Sequence, residues 1–165
     1  MKFTDAIWIN APSRKVWEYV GSLDIWPQFY AKAATGTCRQ LSREGGVVGS
    51  RYAFEFRGGS SATLFHGEIV DVRPGSIIAV ELTLDAEQEP MTRGWVCQVR
   101  YELTDEGDRT KVTERVDTGH GFDSDINWLV ELVGGVMAWL IYRARKLAGK
   151  TNLQRLKGIV EGARF

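Results

Sequence analysis

One carboxylate, Glu114, falls on the apolar side of a predicted β-strand. Thr110, Val112 and Val116 share its face, because successive side chains of a strand alternate between two faces. A carboxylate directed into an apolar cavity has a raised pKa and can act as an acid, a base or an anchor for the polar end of a ligand. A structural pairing with a neighbouring Arg or Tyr is the alternative, since such pairs also perturb pKa values.

Histidine is the other residue type that could move a proton, and the sequence holds two, His66 and His120. A histidine beside a bound substrate could relay a proton during aldol-type ring closure or dehydration. His120 lies between two glycines, and the face on which His66 lies is open, so a structural or incidental role is favoured for both. The candidates for catalysis are therefore Glu114 and His66.

Several other kinds of chemistry lack the residues that they need. The two histidines and the two cysteines, Cys38 and Cys97, are distant in sequence, so we expect neither a metal site nor a cofactor. Residues 123–127 imitate the start of a calcium loop, but Trp128 stands where that loop requires glycine. The sequence contains neither the phosphate-binding GxxxxGK(S/T) pattern nor the GxSxG turn of serine hydrolases.

The composition predicts one globular domain over residues 1–165. The chain carries 21 basic and 21 acidic side chains, and this neutrality argues against a nucleic acid partner. Two widely spaced cysteines are typical of reduced thiols in a cytoplasmic protein. The charge is uneven, because residues 143–165 hold seven bases and one acid. This basic tail could contact an anionic membrane, although a solvated helix face is the commoner role.

Hydrophobic periodicity predicts helices on both sides of a central β region. A strand at residues 3–9 precedes a helix from Pro12 to about Val20, and Asp24 is the expected N-cap of a second short helix. A helical period returns from about residue 125 to residue 161, which predicts one long C-terminal helix. Its most apolar part, residues 126–142, is shorter than the roughly 20 residues of a membrane-spanning helix, so we expect it to be buried.

Between residues 34 and 118, six β-rich runs are joined by short turns and must therefore pair antiparallel. With the first strand they give seven, and the fold class is α+β. The fourth strand of the chain is ambiguous, because one alternating set gathers Leu64, His66, Val70 and Val72 and the other gathers Phe65, Gly67 and Ile69. Alternation predicts the following inward residues on the other strands: Tyr52, Phe54 and Phe56; Ile78, Val80 and Leu82; Trp95, Cys97, Val99, Tyr101 and Leu103.

The order of these elements and several short motifs resemble the START and polyketide cyclase superfamily. The motifs are Ile7-Trp8-Ile9-Asn10-Ala11-Pro12, Asp24-Ile25-Trp26-Pro27, Ile69-Val70-Asp71-Val72-Arg73-Pro74 and Asn152-Leu153-Gln154-Arg155-Leu156-Lys157. The resemblance covers essentially the whole chain. It implies a helix-grip fold, in which a curved antiparallel seven-stranded sheet wraps around a long C-terminal helix, with two short helices between the first two strands.

The same resemblance implies a cavity for a lipid, polyketide, quinone or similar molecule. We expect these residues to line it: Tyr52, Phe54, Val80, Leu82, Trp95, Cys97, Tyr101, Glu114, Trp128, Leu132, Val136 and Trp139. Three functions fit such a cavity. They are a carrier or sensor of a small hydrophobic ligand, an enzyme of the polyketide cyclase or dehydratase type that uses Glu114 or His66, and a membrane-associated lipid-transfer module that uses the basic tail.

Overall fold

The computed structural model describes residues 2–30, 36–58, 61–84, 96–118 and 151–162. Seven strands and three helices lie in these ranges. In chain order they are β1 (Lys2–Ile9), α1 (Ser13–Val20), α2 (Trp26–Tyr30), β2 (Gly36–Gln40), β3 (Arg51–Gly58), β4 (Ser61–Arg73), β5 (Ile77–Leu84), β6 (Val96–Asp105), β7 (Thr110–Thr118) and α3 (Asn152–Glu161). The predicted α+β class is confirmed.

All seven strands form one antiparallel sheet in the order β1-β7-β6-β5-β4-β3-β2. Strands β2 to β7 follow one another as a meander, as their short connections require. Strand β1 adds to the far side of β7, where Asp5 lies opposite Glu114. The first strand of the chain thereby lies beside the last one.

The helices before β2 begin and end at recognisable residues. The carbonyl of Pro12 accepts hydrogen bonds from the amides of Lys15 and Val16, which starts α1. Helix α2 begins at Trp26, so the expectation that Asp24 is its N-cap is wrong. Asp24 lies in the preceding turn, and Pro27 takes a place in the first turn of the helix, where its missing N–H costs nothing.

The last described helix, α3, begins at a capping residue that interrupts the predicted helix. Thr151 has extended backbone angles, φ −75° and ψ 160°, and caps α3 through its hydroxyl. The side chain of Gln154 in turn accepts a hydrogen bond from the Thr151 amide, which completes a capping box. The prediction of one unbroken helix from residue 125 to residue 161 is therefore wrong at Thr151, and the part of that prediction before residue 151 lies outside the described residues.

Strand β4 settles its ambiguous register through an irregularity. Gly67 and Ile69 are buried and His66 is exposed, so the inward set begins with Phe65. The pairing with β5 then shifts between Ile69 and Asp71, which is a β-bulge. Because a bulge adds one residue to the count, Val72 returns to the core side. Both alternating sets thus contain core residues, and for this reason alternation alone left the register open.

The inward faces of β3, β5, β6 and β7 agree with alternation. Tyr52, Phe54, Ile78, Val80, Cys97, Val99, Tyr101, Leu103 and Val112 are all buried in one apolar core. Helix α3 packs on β1, α1 and α2 and adds Leu153, Leu156 and Val160 to that core. The described helices therefore cover the same face of the sheet that carries Glu114.

Candidate functional site

A cavity of about 330 Å³ lies between the sheet and the helices. This volume equals that of roughly ten water molecules in the liquid, at about 30 Å³ each, and is at the small end of known ligand sites. Its described lining is Trp26, Tyr30, Phe54, Phe56, Phe65, Leu82, Cys97, Val99, Val116 and Asn152. Apart from one indole N–H, eight of these ten side chains contain only carbon, sulfur and their hydrogens. The wall can therefore make favourable contacts with an apolar molecule.

Helix α2 brings two aromatic rings to this cavity. The indole N–H of Trp26 donates to the carbonyl of Val20 at 2.8 Å, which fixes the orientation of the ring. The ring of Tyr30 stacks on Trp26, with 5.6 Å between the ring centroids. The rings of Tyr101 and Trp26 are nearly perpendicular, with 5.3 Å between their centroids. These contacts position the Tyr30 hydroxyl toward strand β7.

Gly67 on β4 leaves room for the side chains of Phe54 on β3 and Leu82 on β5. A Cβ atom at this position would lie 2.6 Å from the ring of Phe54 and 3.2 Å from the side chain of Leu82. Phe54 and Leu82 both line the cavity. Any larger residue at position 67 would therefore displace the lining itself.

At one end of the cavity, Glu114 forms a polar cluster with Tyr30, Tyr101 and Asn152. Its Oε1 accepts hydrogen bonds from the hydroxyls of Tyr101 at 2.6 Å and Tyr30 at 2.9 Å, and from the amide of Asn152 at 3.4 Å. The two tyrosine oxygens are themselves 2.6 Å apart. We refer to these four residues as the polar pole. Two of them, Tyr30 and Asn152, also line the cavity.

Burial shifts the pKa values of the titratable groups in the polar pole. The side chain of Glu114 is deeply buried, and loss of hydration raises its pKa above the ordinary value of 4.5. The hydrogen bonds from Tyr101, Tyr30 and Asn152 act in the opposite direction, and the nearby Asp5 adds to the rise. Burial and the neighbouring carboxyl also raise the pKa values of Tyr30 and Tyr101 well above 10, so both hydroxyls keep their protons.

Cys97 places a thiol in the wall of the cavity. Burial, together with Asp117 and Glu114, raises its pKa to about 11. Cys38, on β2, is half-buried and has a pKa of about 12 for the same primary reason, burial. Both thiols are free, as the sequence predicted, and neither environment activates a nucleophile.

The structure brings together some of the residues expected at a ligand site. Phe54, Leu82 and Cys97 line the cavity, while Tyr101 and Glu114 belong to the polar pole. Tyr52 and Val80 are buried in the core away from the lining, and the hydroxyl of Tyr52 accepts a hydrogen bond from the Gly46 amide. Trp95, Trp128, Leu132, Val136 and Trp139 lie outside the described residues.

His66 plays no part in the described cavity. His66 is exposed on the outer face of β4, opposite Ala53 and Thr83. Its neighbours Phe65 and Gly67 point inward instead, so the hypothesis that His66 moves a proton in the cavity is wrong. His120 lies outside the described residues.

Sequence reasoning missed two residues of the polar pole. Tyr30 is the last residue of a five-residue helix and lies 84 positions before Glu114 in the chain. Asn152 lies 38 positions after Glu114. No periodicity links residues so far apart. The sequence did hold one signal, since Thr-x-x-Gln at residues 151–154 is a capping box that marks Asn152 as the first residue of a helix.

The described ranges offer no cluster of ligands for a metal ion, since no three His, Cys, Asp or Glu side chains are suitably grouped there. Of the helices in those ranges, none is long and apolar enough to cross a membrane. Lys157, a member of the basic tail, donates to the carbonyl of Trp8 at 2.9 Å and lies 3.7 Å from Glu161. That lysine is held against the protein rather than presented to a partner.

Comparison with known proteins identifies the architecture. The family model for polyketide cyclase / dehydrase and lipid transport matches residues 1–161. No curated protein sequence matches the chain.

Three solved structures illustrate the likeness of the fold. The protein CV1439 from Chromobacterium violaceum is 15% identical, with a TM-score of 0.64 over 97% of this chain and 96% of that one. The protein TTHA0849 from Thermus thermophilus is 14% identical, with a TM-score of 0.63 over the full length of both chains. The Zhui aromatase/cyclase from a Streptomyces species is 13% identical, with a TM-score of 0.65 over 98% of this chain and 93% of that one. At these identities the likeness establishes the helix-grip fold, which agrees with the resemblance seen in the sequence.

Proposed function

Because this chain belongs to the polyketide cyclase / dehydrase and lipid transport family, we propose that it binds a small hydrophobic molecule in the cavity, as a carrier or sensor. The observation that carries this proposal is the contrast within the cavity wall, which is aromatic and aliphatic apart from one polar pole. Burial of apolar surface would supply most of the affinity, and the polar pole would orient the ligand. A cytoplasmic location is part of the same proposal.

A variant that fills the cavity tests this function. Val116 lines the cavity on β7, and Lys111 is exposed on the opposite face of the same strand. Native mass spectrometry of the purified protein should show a bound apolar molecule in the wild type and in Lys111→Phe. In Val116→Phe, the added ring occupies part of the cavity. The affinity for naphthalene, used as an apolar probe, should therefore fall about tenfold or more.

Circular dichroism checks that each variant is folded, and Leu82→Phe fills the same cavity from β5 if Val116→Phe is unstable. Wild-type affinity for naphthalene in both folded filling variants would contradict binding at this site.

Catalysis of the polyketide cyclase or dehydratase type is a second candidate, favoured by the carboxyl behind the cavity wall. Glu114 reaches the cavity through Tyr30, so a proton would pass to a substrate by way of the Tyr30 hydroxyl. Turnover of a polyketide-like substrate that is lost in Glu114→Gln but kept in His66→Ala would favour the enzyme. Unchanged turnover in Glu114→Gln would exclude that role for Glu114.

A further inference from the structure

Three oxygen atoms of the polar pole form a closed triangle. Its sides are 2.6 Å from Tyr30 to Tyr101, 2.6 Å from Tyr101 to Glu114 Oε1 and 2.9 Å from Tyr30 to the same Oε1. Each side has the length of an O–H···O hydrogen bond. Every side therefore requires one proton, because two oxygen lone pairs repel each other at this separation.

Counting the protons shows which form of Glu114 fits. If the carboxyl is ionised, the two hydroxyls supply two protons for three contacts, and one short contact remains unbridged. If the carboxyl is protonated on Oε1, three protons serve the three contacts, and Oε1 accepts from one tyrosine and donates to the other. Each oxygen then donates once and accepts once within the triangle, and Oε1 accepts in addition from Asn152. The ring can run in either direction, and both directions satisfy all three oxygens.

Burial and Asp5 favour the neutral form of Glu114, whereas the hydrogen bonds from Tyr101, Tyr30 and Asn152 favour the ionised one. Asp5 on β1 pairs directly with Glu114, Tyr101 and Cys97 extend from β6, Tyr30 comes from α2, and Asn152 comes from α3. Among the described residues, these neighbours of Glu114 include no cation. Burial accordingly raises the pKa of Glu114, in agreement with the proton count.

We propose that Glu114 carries a proton at neutral pH and that the polar pole recognises a neutral hydroxyl group of the ligand rather than a carboxylate. This inference rests on the proposed function, because it specifies the ligand of the same cavity. With its proton held in the ring, Tyr30 presents an acceptor lone pair to the cavity. Asn152 uses one N–H on Glu114, which leaves its second N–H and its carbonyl oxygen without a partner among the described residues.

A ligand hydroxyl matches these groups and a carboxylate does not. A hydroxyl can donate to the oxygen of Tyr30 or Asn152 and accept from the Asn152 amide. A carboxylate would meet the lone pair of Tyr30, and it would lose its hydration in a wall whose described residues carry no positive charge. The pole should therefore discriminate between molecules of the same shape by their charge.

The first experiment measures the proton without any ligand. Protein labelled with carbon-13 at the glutamate carboxyl is observed by NMR at pH 7, and the Glu114 signal is identified by its absence in Glu114→Gln. We expect the chemical shift of a protonated carboxylic acid, with free glutamate in the same buffer as the ionised reference. The shift of an ionised carboxylate at pH 7 would overturn the proton count.

The second experiment compares three probes of one shape by calorimetry at pH 7: 2-naphthol, 2-naphthoate and naphthalene. We expect 2-naphthol to bind at least about tenfold more tightly than 2-naphthoate, since an unpaired charge is costly in an apolar site. Relative to its effect on naphthalene, Tyr30→Phe should weaken 2-naphthol about fivefold, through loss of one hydrogen bond. Tyr19→Phe on α1, whose side chain is not part of the lining, is the control.

The outcomes separate this inference from the proposed function. If 2-naphthoate binds as well as 2-naphthol, or if Tyr30→Phe weakens 2-naphthol no more than naphthalene, the hydroxyl preference is wrong while the cavity still binds a hydrophobic ligand. If none of the three probes binds, the proposed function fails together with the ligand preference, and the NMR measurement alone decides the protonation of Glu114.

Discussion

Glu114 ties the stability of the fold to pH, because its carboxyl binds a proton more readily in the folded chain than in the unfolded one. Below the ordinary pKa of 4.5, both states are protonated and the difference has no effect. As pH rises above that value, the unfolded chain ionises first, so the free energy of unfolding falls. The fall ends once pH has passed the raised pKa of the folded state.

Replacing Glu114 with glutamine should remove this dependence. The free energy of unfolding of Glu114→Gln, measured by urea denaturation, should rise relative to that of the wild type as pH increases from 4.5 upward. Glu68→Gln, at an exposed position of β4, reports the effect of losing a carboxylate at the surface. Parallel stability curves for the wild type and Glu114→Gln would contradict a raised pKa.

The sequence could predict only half of the polar pole. Glu114 and Tyr101 lie opposite each other on adjacent strands, and period-two alternation places both inward. Tyr30 and Asn152 come from helices whose docking depends on tertiary packing, which no local pattern encodes. Their contribution could be seen only after α2 and α3 were placed against the sheet.

Among the elements, the regular strands were predictable and the interruptions were not. Alternation gave the inward face of β3, β5, β6 and β7, but the bulge in β4 broke the count after Ile69. The interruption at Thr151 was not predicted, because hydrophobic periodicity continues across that residue. The side chain of Thr151 caps α3 there although the periodicity does not change.

The capping box at Thr151 gives a test at the level of that helix. Thr151→Ala removes the hydroxyl oxygen that accepts a hydrogen bond from the Gln154 amide at 3.3 Å. This substitution should lower the free energy of unfolding by about 1 kcal/mol. Thr151→Ser keeps the acceptor and should retain most of the wild-type stability. Urea denaturation of the two variants provides the comparison. Equal stability losses in both would point to packing of the Thr151 methyl group instead of capping.

Over the whole molecule, the sheet has edges at β1 and β2, and the cavity lies over its interior strands. One thiol lies in each of these places: Cys38 is on the edge strand β2, and Cys97 is on β6 in the wall of the cavity. A ligand in the cavity should therefore protect Cys97 alone from modification, whereas general stabilisation of the fold should protect both thiols.

Alkylation by iodoacetamide should report that difference. At pH 9 both thiols should react slowly, because their pKa values of about 12 for Cys38 and about 11 for Cys97 leave little thiolate. Adding 2-naphthol at ten times its Kd should slow Cys97 about tenfold and leave Cys38 unchanged. Mass spectrometry of the two peptides measures both rates in one sample. Equal slowing of both thiols would indicate global stabilisation instead of a ligand beside Cys97.

The contacts between α3 and β1 set the order in which the domain can be completed during synthesis. The carbonyl of Trp8 bonds to Lys157, 149 residues later, and the amide of Asn10 bonds to Glu161, 151 residues later. A ribosome working at 5 to 20 residues per second needs between about 7 and 30 s to cover that interval. Strand β1 also pairs with β7, so its place in the sheet is available only after β7 has been made. Of the seven strands, the one that is made first therefore completes its described contacts only after α3 has been made.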